Sequence, residues 1–345
     1  MKKYLLYLGF IVALVLLIVL FFVKLSPTTL SKEESDFGTP NFEKIGKIKM
    51  TNEKGESLFL ELKDNQWLVN GKYAINEDPQ AQLFTTIQKM QTMAPVPESA
   101  QNNVVRDMLR TYHYCQLYEK GSDKPFKAFY VGGSTLDSRG TYMLMEMDGE
   151  VAKKPYIVYV PGFGGFLTGR FNEDELHWRS RWVARYKPEQ IKEVKIVYNR
   201  TPENSFSVKR ENDDSLALYN AAGERKEQPK QLFLEQYLSF LEGLSLESFE
   251  NTNPIKDSIL AQQPYCTVSI TDTKGEKNVT TIYHMPINER SMKQFDDGGK
   301  PLIYDLERYY ATNKNDFLMI QYFVWGKALR SYDEFFRKRE TKINK

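Results

Sequence analysis

The chain begins with an apolar run. After it come segments with the alternating pattern of β-strands and a few segments with the apolar spacing of amphipathic helices. Residues 4–23 carry no charge, and Lys24 ends the run that Lys2 and Lys3 precede. A helix of this length, at about 1.5 Å per residue, spans the hydrocarbon of a bilayer. The flank is bulky where a signal peptidase requires small side chains, and no cysteine follows directly to carry a lipid. The pattern therefore predicts an uncleaved transmembrane anchor over residues 1–24, with a cleaved signal peptide as the alternative.

The charges beside the apolar run predict its orientation. Two lysines precede the run and one follows it, which favours a cytoplasmic N-terminus. We therefore expect a single-pass protein of the bacterial inner membrane that contacts the lipid bilayer through residues 4–23. The large C-terminal domain is then periplasmic.

The rest of the pattern occurs twice along the chain, at an offset that drifts from about 140 to 154 residues. The alternating segment Leu58–Leu62 matches Phe206–Val208, and the apolar segment Trp67–Val69 that follows it matches Leu216–Leu218. In each copy a polar turn joins the two segments. An alternating strand and an apolar strand on the two sides of a polar turn predict a β-hairpin.

An apolar stripe with helical spacing follows each hairpin. The stripes are Leu83, Ile87, Met90 and Ala94 in the first copy, and Phe233, Tyr237, Phe240 and Leu244 in the second. This spacing predicts an amphipathic helix that covers one face of a sheet. Pro79 and Pro229 are expected in the first turns of these helices, where a missing N–H costs least.

The repetition predicts a β-rich α+β fold with two tandem lobes, each made of a hairpin, a helix and further antiparallel strands. The expected organisation is an anchor over 1–24, a tether over 25–40, lobes over 41–187 and 188–336, and a basic tail over 337–345. The ends of the lobes match only weakly, as Arg181–Val183 against Tyr322–Val324. Cys115 and Cys266 fall in matching apolar strands, which favours buried free thiols over a disulfide.

The anchor, the Trp67 hairpin, the amphipathic helix after it and the repetition resemble the bacterial domain-of-unknown-function family 4340. The resemblance covers most of residues 42–335 and consists of hydrophobic patterns. It implies a membrane-anchored periplasmic protein associated with auxiliary subunits of gliding-motility-type ABC transporters. It implies no catalytic residues.

Composition narrows the classes of partner. The chain has 47 basic and 45 acidic residues, and three of the basic residues lie in the first 24 positions. The remainder is nearly neutral, so it has no broad positive field and we expect no nucleic-acid partner. Aromatic residues make up 13% of the chain, which suits strands and sheet-based contact surfaces.

The sequence carries no recognisable catalytic or metal-binding motif, so we expect no enzyme activity, no cofactor and no metal. His113 and Cys115 share one face of a strand, but no motif supplies an acid to orient a thiolate–imidazole pair. The segment Gly162–Leu167 departs from a dinucleotide fingerprint at Leu167, and no helix follows it. Asp296–Gly299 lacks the ligand spacing of an EF-hand and predicts a turn.

Two aromatic segments are candidate contact surfaces, the first a Gly-rich loop and the second a cluster of arginines and tryptophans. The candidate partner or ligand contacts are Phe163, Phe166, Arg170, Trp178, Arg179, Arg181 and Trp182. The loop suits either a plain connection or a partner contact. The cluster suits an anion, a carboxylated glycan or an acidic loop of a partner. Its alternative interpretation is a connector between the lobes whose arginines cover apolar surface.

These features favour a non-enzymatic subunit or adaptor of an inner-membrane envelope complex, linked to an ABC transporter, secretion or gliding. Its partner would be an integral inner-membrane protein complex. The alternative is a periplasmic small-molecule or glycan-binding module that uses a cleft between the lobes. An envelope hydrolase is disfavoured because the sequence shows neither a nucleophile–base pair nor paired carboxylates.

Overall fold

The structure is a computed structural model that describes residues 14–15, 33–212, 214–225 and 228–336. It is a β-rich α+β protein, as the alternating pattern predicts. The chain divides into two units, the first ending at Ser180 and the second beginning at Arg181. This boundary comes earlier in the chain than the one expected after residue 187.

The first unit has a single antiparallel sheet. Its strands β1 to β10 are Ile45–Asn52, Ser57–Lys63, Gln66–Val69, Tyr73–Ala74, Gln91–Pro95, His113–Glu119, Pro125–Ser134, Thr141–Met147, Glu150–Val151 and Tyr156–Tyr159. Its helices α1 to α3 are Glu77–Lys89, Glu98–Met108 and Glu175–Trp178. The strand order is β4-β3-β2-β1-β6-β7-β8-β10-β5, and β9 pairs with β8.

The second unit has a larger and a smaller antiparallel sheet. Its strands β11 to β20 are Trp182–Ala184, Ile191–Tyr198, Phe206–Arg210, Leu216–Asn220, Leu244–Ser245, Ser248–Phe249, Cys266–Asp272, Lys277–Pro286, Tyr304–Asn313 and Asp316–Gln321. Its helices α4 to α6 are Gln231–Ser239, Lys256–Leu260 and Tyr322–Trp325. The larger sheet has the order β14-β13-β12-β17-β18-β19-β20-β16, and β11 pairs with β15.

The two large sheets share one topology. From β3 to β5 in the first unit and from β14 to β16 in the second, corresponding strands follow in the same order. The first strands even share an irregularity. A shift in register falls between Ile45 and Lys47 where β1 pairs with β6, and between Ile191 and Glu193 where β12 pairs with β17.

The hairpin over β2 and β3 follows from its turn residues. Lys63 pairs with Gln66, so Asp64 and Asn65 form a two-residue loop. Both have positive φ, 49° and 62°. Such loops favour Asn and Asp because their short polar side chains tolerate the left-handed conformation, and the resulting twist matches that of the strands.

The helix after the first hairpin is shorter than its apolar stripe suggests. Leu83 and Ile87 are buried in α1, but the helix ends at Lys89. Ala94 belongs instead to β5, where it pairs with Ile157. The expected helical position of Ala94 is therefore wrong, because Gln91–Pro95 pairs with β10 and forms the edge strand of the sheet.

The stripe of the second helix is also displaced. The buried face of α4 consists of Leu234, Tyr237 and Leu238, while Phe233 is exposed. Leu244 lies in β15 and not in the helix. Pro79 does lie in the first turn of α1, whereas Pro229 precedes the N-cap of α4.

Each unit has its own hydrophobic core. In the first unit α1 covers one sheet face, with Leu83 and Ile87 in the same buried cluster as Met50 and Phe129. In the second unit α4 lies in the main cluster, and Ile259 of α5 joins a smaller one with Tyr283 and Tyr310. The alternation of strand residues places these two clusters on opposite sheet faces.

Part of the expected tether belongs to the first unit. Phe37 is fully buried, and Lys127 donates from Nζ to the backbone oxygens of Asp36, at 2.6 Å, and Gly38. Lys127 is itself mostly buried, and burial lowers its pKa despite the nearby Asp36 carboxylate. Residues 36–38 are thus tied to β7.

The remaining terminal predictions lie outside the described residues. Among the described residues, no helix is both long enough and apolar enough to cross a membrane. The anchor predicted over 1–24 lies outside the described part of the chain except for Leu14 and Val15, as does most of the lipid contact over 4–23. The predicted basic tail over 337–345 lies wholly outside it.

Candidate functional site

Residues 161–166 form a largely exposed segment of the first unit, which we name the Gly–Phe loop. Phe163 and Phe166 are 39% and 50% exposed at its surface. Gly162 and Gly165 have φ values of +78° and +140°, which residues with a Cβ rarely adopt. The glycines therefore allow the sharp turns that bring both rings outward.

The base of the Gly–Phe loop is fixed by buried contacts. The backbone N–H of Leu167 donates to Thr141 Oγ1 at 2.7 Å, and Thr168 Oγ1 donates to the backbone oxygen of Gly132 at 2.7 Å. Leu167 and Phe171 are fully buried, and Phe171 meets Phe129 edge-on with 5.9 Å between ring centroids. The loop thus presents two phenylalanines from a base that belongs to the core.

The side chain of Arg170 links the Gly–Phe loop to α1. Its guanidinium lies 3.9 Å from the centroid of the Phe163 ring, and Nη1 donates to Thr86 Oγ1 at 2.6 Å. Burial lowers the pKa of Arg170 from its ordinary value. The side chain therefore orients Phe163 through a cation–π contact and a hydrogen bond to α1.

Trp178 and Arg179 are interior residues of the first unit. Trp178 is fully buried, and its Nε1 donates to the backbone oxygen of Asn172 at 2.6 Å. The guanidinium of Arg179 lies 3.8 Å from the Tyr73 ring centroid and 4.0 Å from Glu175. A partner can reach neither side chain unless the core opens, so we remove both from the candidate contact set.

Arg181 and Trp182 belong to the second unit. Arg181 is exposed, and its backbone oxygen accepts from Leu246 N–H at 2.9 Å. Trp182 is 42% exposed in β11, with the Arg185 guanidinium 4.9 Å from its ring centroid. Trp178 ends the short helix α3 while Trp182 lies in a strand, so the two tryptophans do not share a helix face.

The second unit contains an open groove that the sequence interpretation missed. Its volume is about 810 Å³, and it is lined by Met292, Glu307, Arg308, Gln321, Tyr322, Phe323, Gly326, Lys327, Arg330 and Glu334. Tyr322 is half exposed and Phe323 is 90% exposed. We name this feature the α6 groove.

A row of aromatic rings leads to the α6 groove. The Tyr265 ring stacks on Tyr309 at 5.5 Å and lies 4.8 Å from His284, while Tyr322 lies 6.4 Å from Tyr309. Burial, followed by the charge of Arg200, lowers the pKa of His284 below its ordinary value. Neutral His284 therefore extends the apolar character of the row at neutral pH.

The sequence held one signal for this groove. Trp178 and Trp325 each end a four-residue helix and are both fully buried. Matching these tryptophans would have aligned Tyr322–Trp325 with Glu175–Trp178, one helix with the other. The expected match of Arg181–Val183 with Tyr322–Val324 instead pairs a strand with a helix.

The described residues offer little basis for catalysis at His113 and Cys115. His113 Nδ1 lies 2.9 and 3.0 Å from the carboxylate oxygens of Glu173, an acid that the sequence motif did not reveal. Cys115 is fully buried, and burial, with a smaller effect of Glu173, raises the pKa of its thiol. Because the thiolate is the nucleophilic form, this environment disfavours attack by Cys115.

Both cysteines are buried free thiols, as predicted. Burial also raises the pKa of Cys266. Among the described residues, no group of three His, Cys, Asp or Glu side chains is arranged to hold a metal ion. The predicted turn at Asp296–Gly299 is confirmed, since Asp296 Oδ1 accepts from the N–H groups of Gly298 and Lys300 at 2.9 and 2.8 Å.

Comparison with known proteins assigns no family to this chain. No protein-family model matches it, and it has no match among the curated proteins or among the solved structures. The resemblance to the domain-of-unknown-function family 4340 therefore stays a prediction, carried by the residues quoted above.

Proposed function

We propose that the protein is a membrane-anchored, non-enzymatic periplasmic subunit or adaptor of an inner-membrane envelope complex. The observation that carries this proposal is the exposure of Phe163 and Phe166 on a loop whose base is held by hydrogen bonds to Thr141 and Gly132. Exposed phenylalanines cost hydrophobic free energy in water, and aromatic side chains are enriched at protein interfaces. The Gly–Phe loop is thus the contact for an integral membrane partner.

The proposal includes a particular architecture. A single N-terminal transmembrane helix is followed by two copies of one α+β unit, each with a hairpin, a helix and an antiparallel sheet. The shared strand order and the shared register shift support the duplication. The uncharged run over residues 4–23 supports the anchor.

An anchor would act together with the contact loop. Confinement to the membrane surface raises the effective concentration of the loop toward other membrane proteins. A modest contact area around Phe163 and Phe166 is then enough for stable association. The resemblance to the domain-of-unknown-function family 4340 favours a transporter, secretion or gliding complex as the setting.

Site-specific photocrosslinking in cells tests this function. A photoreactive phenylalanine replaces Phe166 in the full-length chain, and the crosslinked product is purified in mild detergent and identified by mass spectrometry. We expect one membrane protein in near-stoichiometric amount, and we expect Phe163→Ala to reduce the yield several-fold.

The same photoreactive residue at Leu136 serves as the matched control, because Leu136 is fully exposed on another loop of the first unit. A product of equal yield from both positions, or no enriched membrane protein from position 166, would contradict the proposal.

A further inference from the structure

Strand registers show which positions of the two large sheets correspond. Cys115 and Cys266 stand at matching places and pair with Phe129 and Ile282. From these pairs, the next residues along the ladders form a row across each sheet. Val131 of the first unit corresponds to His284 of the second, Met143 corresponds to Tyr309, and Tyr156 corresponds to Ile320.

In the first unit this row is covered by a segment of the same chain. Val131, Met143 and Tyr156 are all fully buried. The covering segment includes Leu167, which binds Thr141 on the same sheet face as Met143. It also includes Phe171, which packs on Phe129. Two apolar side chains four positions apart thus close this surface.

In the second unit the covering segment has no counterpart at the same place in the chain. In the first unit, residues 160–174 separate β10 from α3. In the second unit, α6 begins at Tyr322, directly after β20 ends at Gln321, and the structure describes all residues of both segments. His284 and Tyr309 are only partly buried, although Ile320 at the end of the row is fully buried. The α6 groove opens beside them.

The groove has features that match such a segment. Glu307 occupies the position of Thr141, two residues before Tyr309, and is exposed and able to accept a backbone N–H. Phe323 and Tyr322 provide apolar surface, ringed by polar side chains. Within the described residues, Lys327 and Arg330 have no ion pair with a carboxylate, and their charged groups lie 5.4 and 5.1 Å from the Phe240 ring centroid. They would attract an acidic group.

We infer that the α6 groove is a docking site for a short apolar segment of a partner protein. The segment carries two large apolar side chains about four residues apart, with a carboxylate beside them. It fills in trans the place that Leu167 and Phe171 fill in cis in the first unit. The inference rests on the partner-binding function proposed above and adds a second contact surface to it.

A synthetic peptide provides the probe. The peptide with the sequence of residues 160–174 contains the Leu167 and Phe171 pair and ends in two acidic residues. Fluorescence anisotropy measures its binding to the full-length chain in detergent. We expect saturable binding that Phe323→Ala weakens about tenfold, since a central aromatic contact dominates such interfaces. We also expect Lys327→Glu to weaken it.

Two controls make the result specific. Phe295→Ala removes an exposed phenylalanine that does not line the groove, so it should leave the affinity unchanged. A peptide with Leu167→Ser and Phe171→Ser should not bind. Absence of saturable binding by the unsubstituted peptide, or equal affinity for the Phe323→Ala chain, would overturn the inference.

Other occupants give different outcomes that also overturn it. A concentration-dependent dimer that Phe323→Ala abolishes, measured by sedimentation, would identify a second copy of the chain. Displacement of the peptide by an oligosaccharide at equal or lower concentration would identify a glycan site. Failure of peptide binding together with crosslinking at position 166 would reject the groove and keep the proposed function. Peptide binding without that crosslink would reject the Gly–Phe loop as the contact.

Discussion

Glu250 shows how local hydrogen bonds outweigh burial at a single carboxyl group. Its two carboxylate oxygens accept from Arg290 at 2.8 and 3.2 Å, from Ser248 at 2.7 Å and from Asn253 at 2.8 Å. Burial alone would raise the pKa, but these bonds lower the pKa of Glu250 to about 2. The ionised carboxylate therefore helps to hold the loop that carries Arg290 against the strand edge at β16.

The pH dependence follows from this lowered pKa. Because an unfolded glutamate binds its proton near pH 4.5, the contribution of Glu250 to stability is complete above that pH and disappears as the pH falls toward about 2. We expect Glu250→Gln to lower the urea midpoint at pH 7, and this difference from the wild type to shrink between pH 4.5 and 2.5. Glu242→Gln, which changes an exposed carboxyl, is the control. A pH-independent difference for Glu250→Gln would contradict the assignment.

Edge strands are protected differently in the two units. In the first unit the short strand β4 pairs with β3 and ends the sheet. In the second unit two glutamine side chains bind the free edge of β14. Gln231 accepts from the N–H of Leu216 at 2.9 Å and donates to its oxygen at 2.7 Å, and Gln228 does the same for Leu218, both at 3.0 Å. The side-chain amides replace a neighbouring strand and reduce edge-to-edge association.

Removing these amides tests that role. We expect Gln228→Ala with Gln231→Ala to lower the free energy of unfolding by about 1–3 kcal/mol. Four hydrogen bonds are lost, but water can bind the exposed strand edge and so replaces part of their energy. We also expect concentration-dependent self-association. Chemical denaturation and light scattering measure the two effects. The matched control is Gln236→Ala, on the exposed side of α4, the helix that begins at Gln231. An equal effect of the control and of the double substitution would contradict this role.

Element types were easier to predict than element ends. A polar turn between two short apolar or alternating segments identified the hairpins, because strands joined by a short turn pair with each other whatever the rest of the fold. The stripe ending at Ala94 misplaced the end of α1, because apolar residues of a following strand can continue a helical spacing by coincidence. The boundary depended on a hydrogen-bonding partner, β10, that comes much later in the chain.

At the scale of the whole molecule, the two units have one topology but different closures. The first unit seals its sheet with residues 160–174, while the second continues directly from β20 into α6 and keeps a groove. Trp178 and Trp325 are both fully buried at the ends of short helices. The repeated fold therefore has different surfaces at corresponding places in its two copies.

Fractionation tests the anchor at this scale. We expect the full-length chain to sediment with membranes and to resist extraction by high salt or alkaline carbonate, because the uncharged run over residues 4–23 is predicted to bury its apolar side chains in lipid. Deletion of residues 1–24 should release the protein into the soluble fraction. Replacing Leu14 and Val15 by alanine retains an uncharged run and should keep the protein in the membrane. A deletion variant that still resists carbonate extraction would contradict the anchor.

The sequence by itself determined the β-rich class, the hairpins and the burial of the cysteines, because each follows from local spacing and hydrophobicity. It also revealed the repetition, although not where the repeats join. Only the tertiary structure decided that Trp178 lies in the core, that Phe37 belongs to the first unit and that a groove opens beside Phe323. These outcomes depend on contacts between residues far apart in the chain, and the order of apolar and polar positions does not encode such contacts directly.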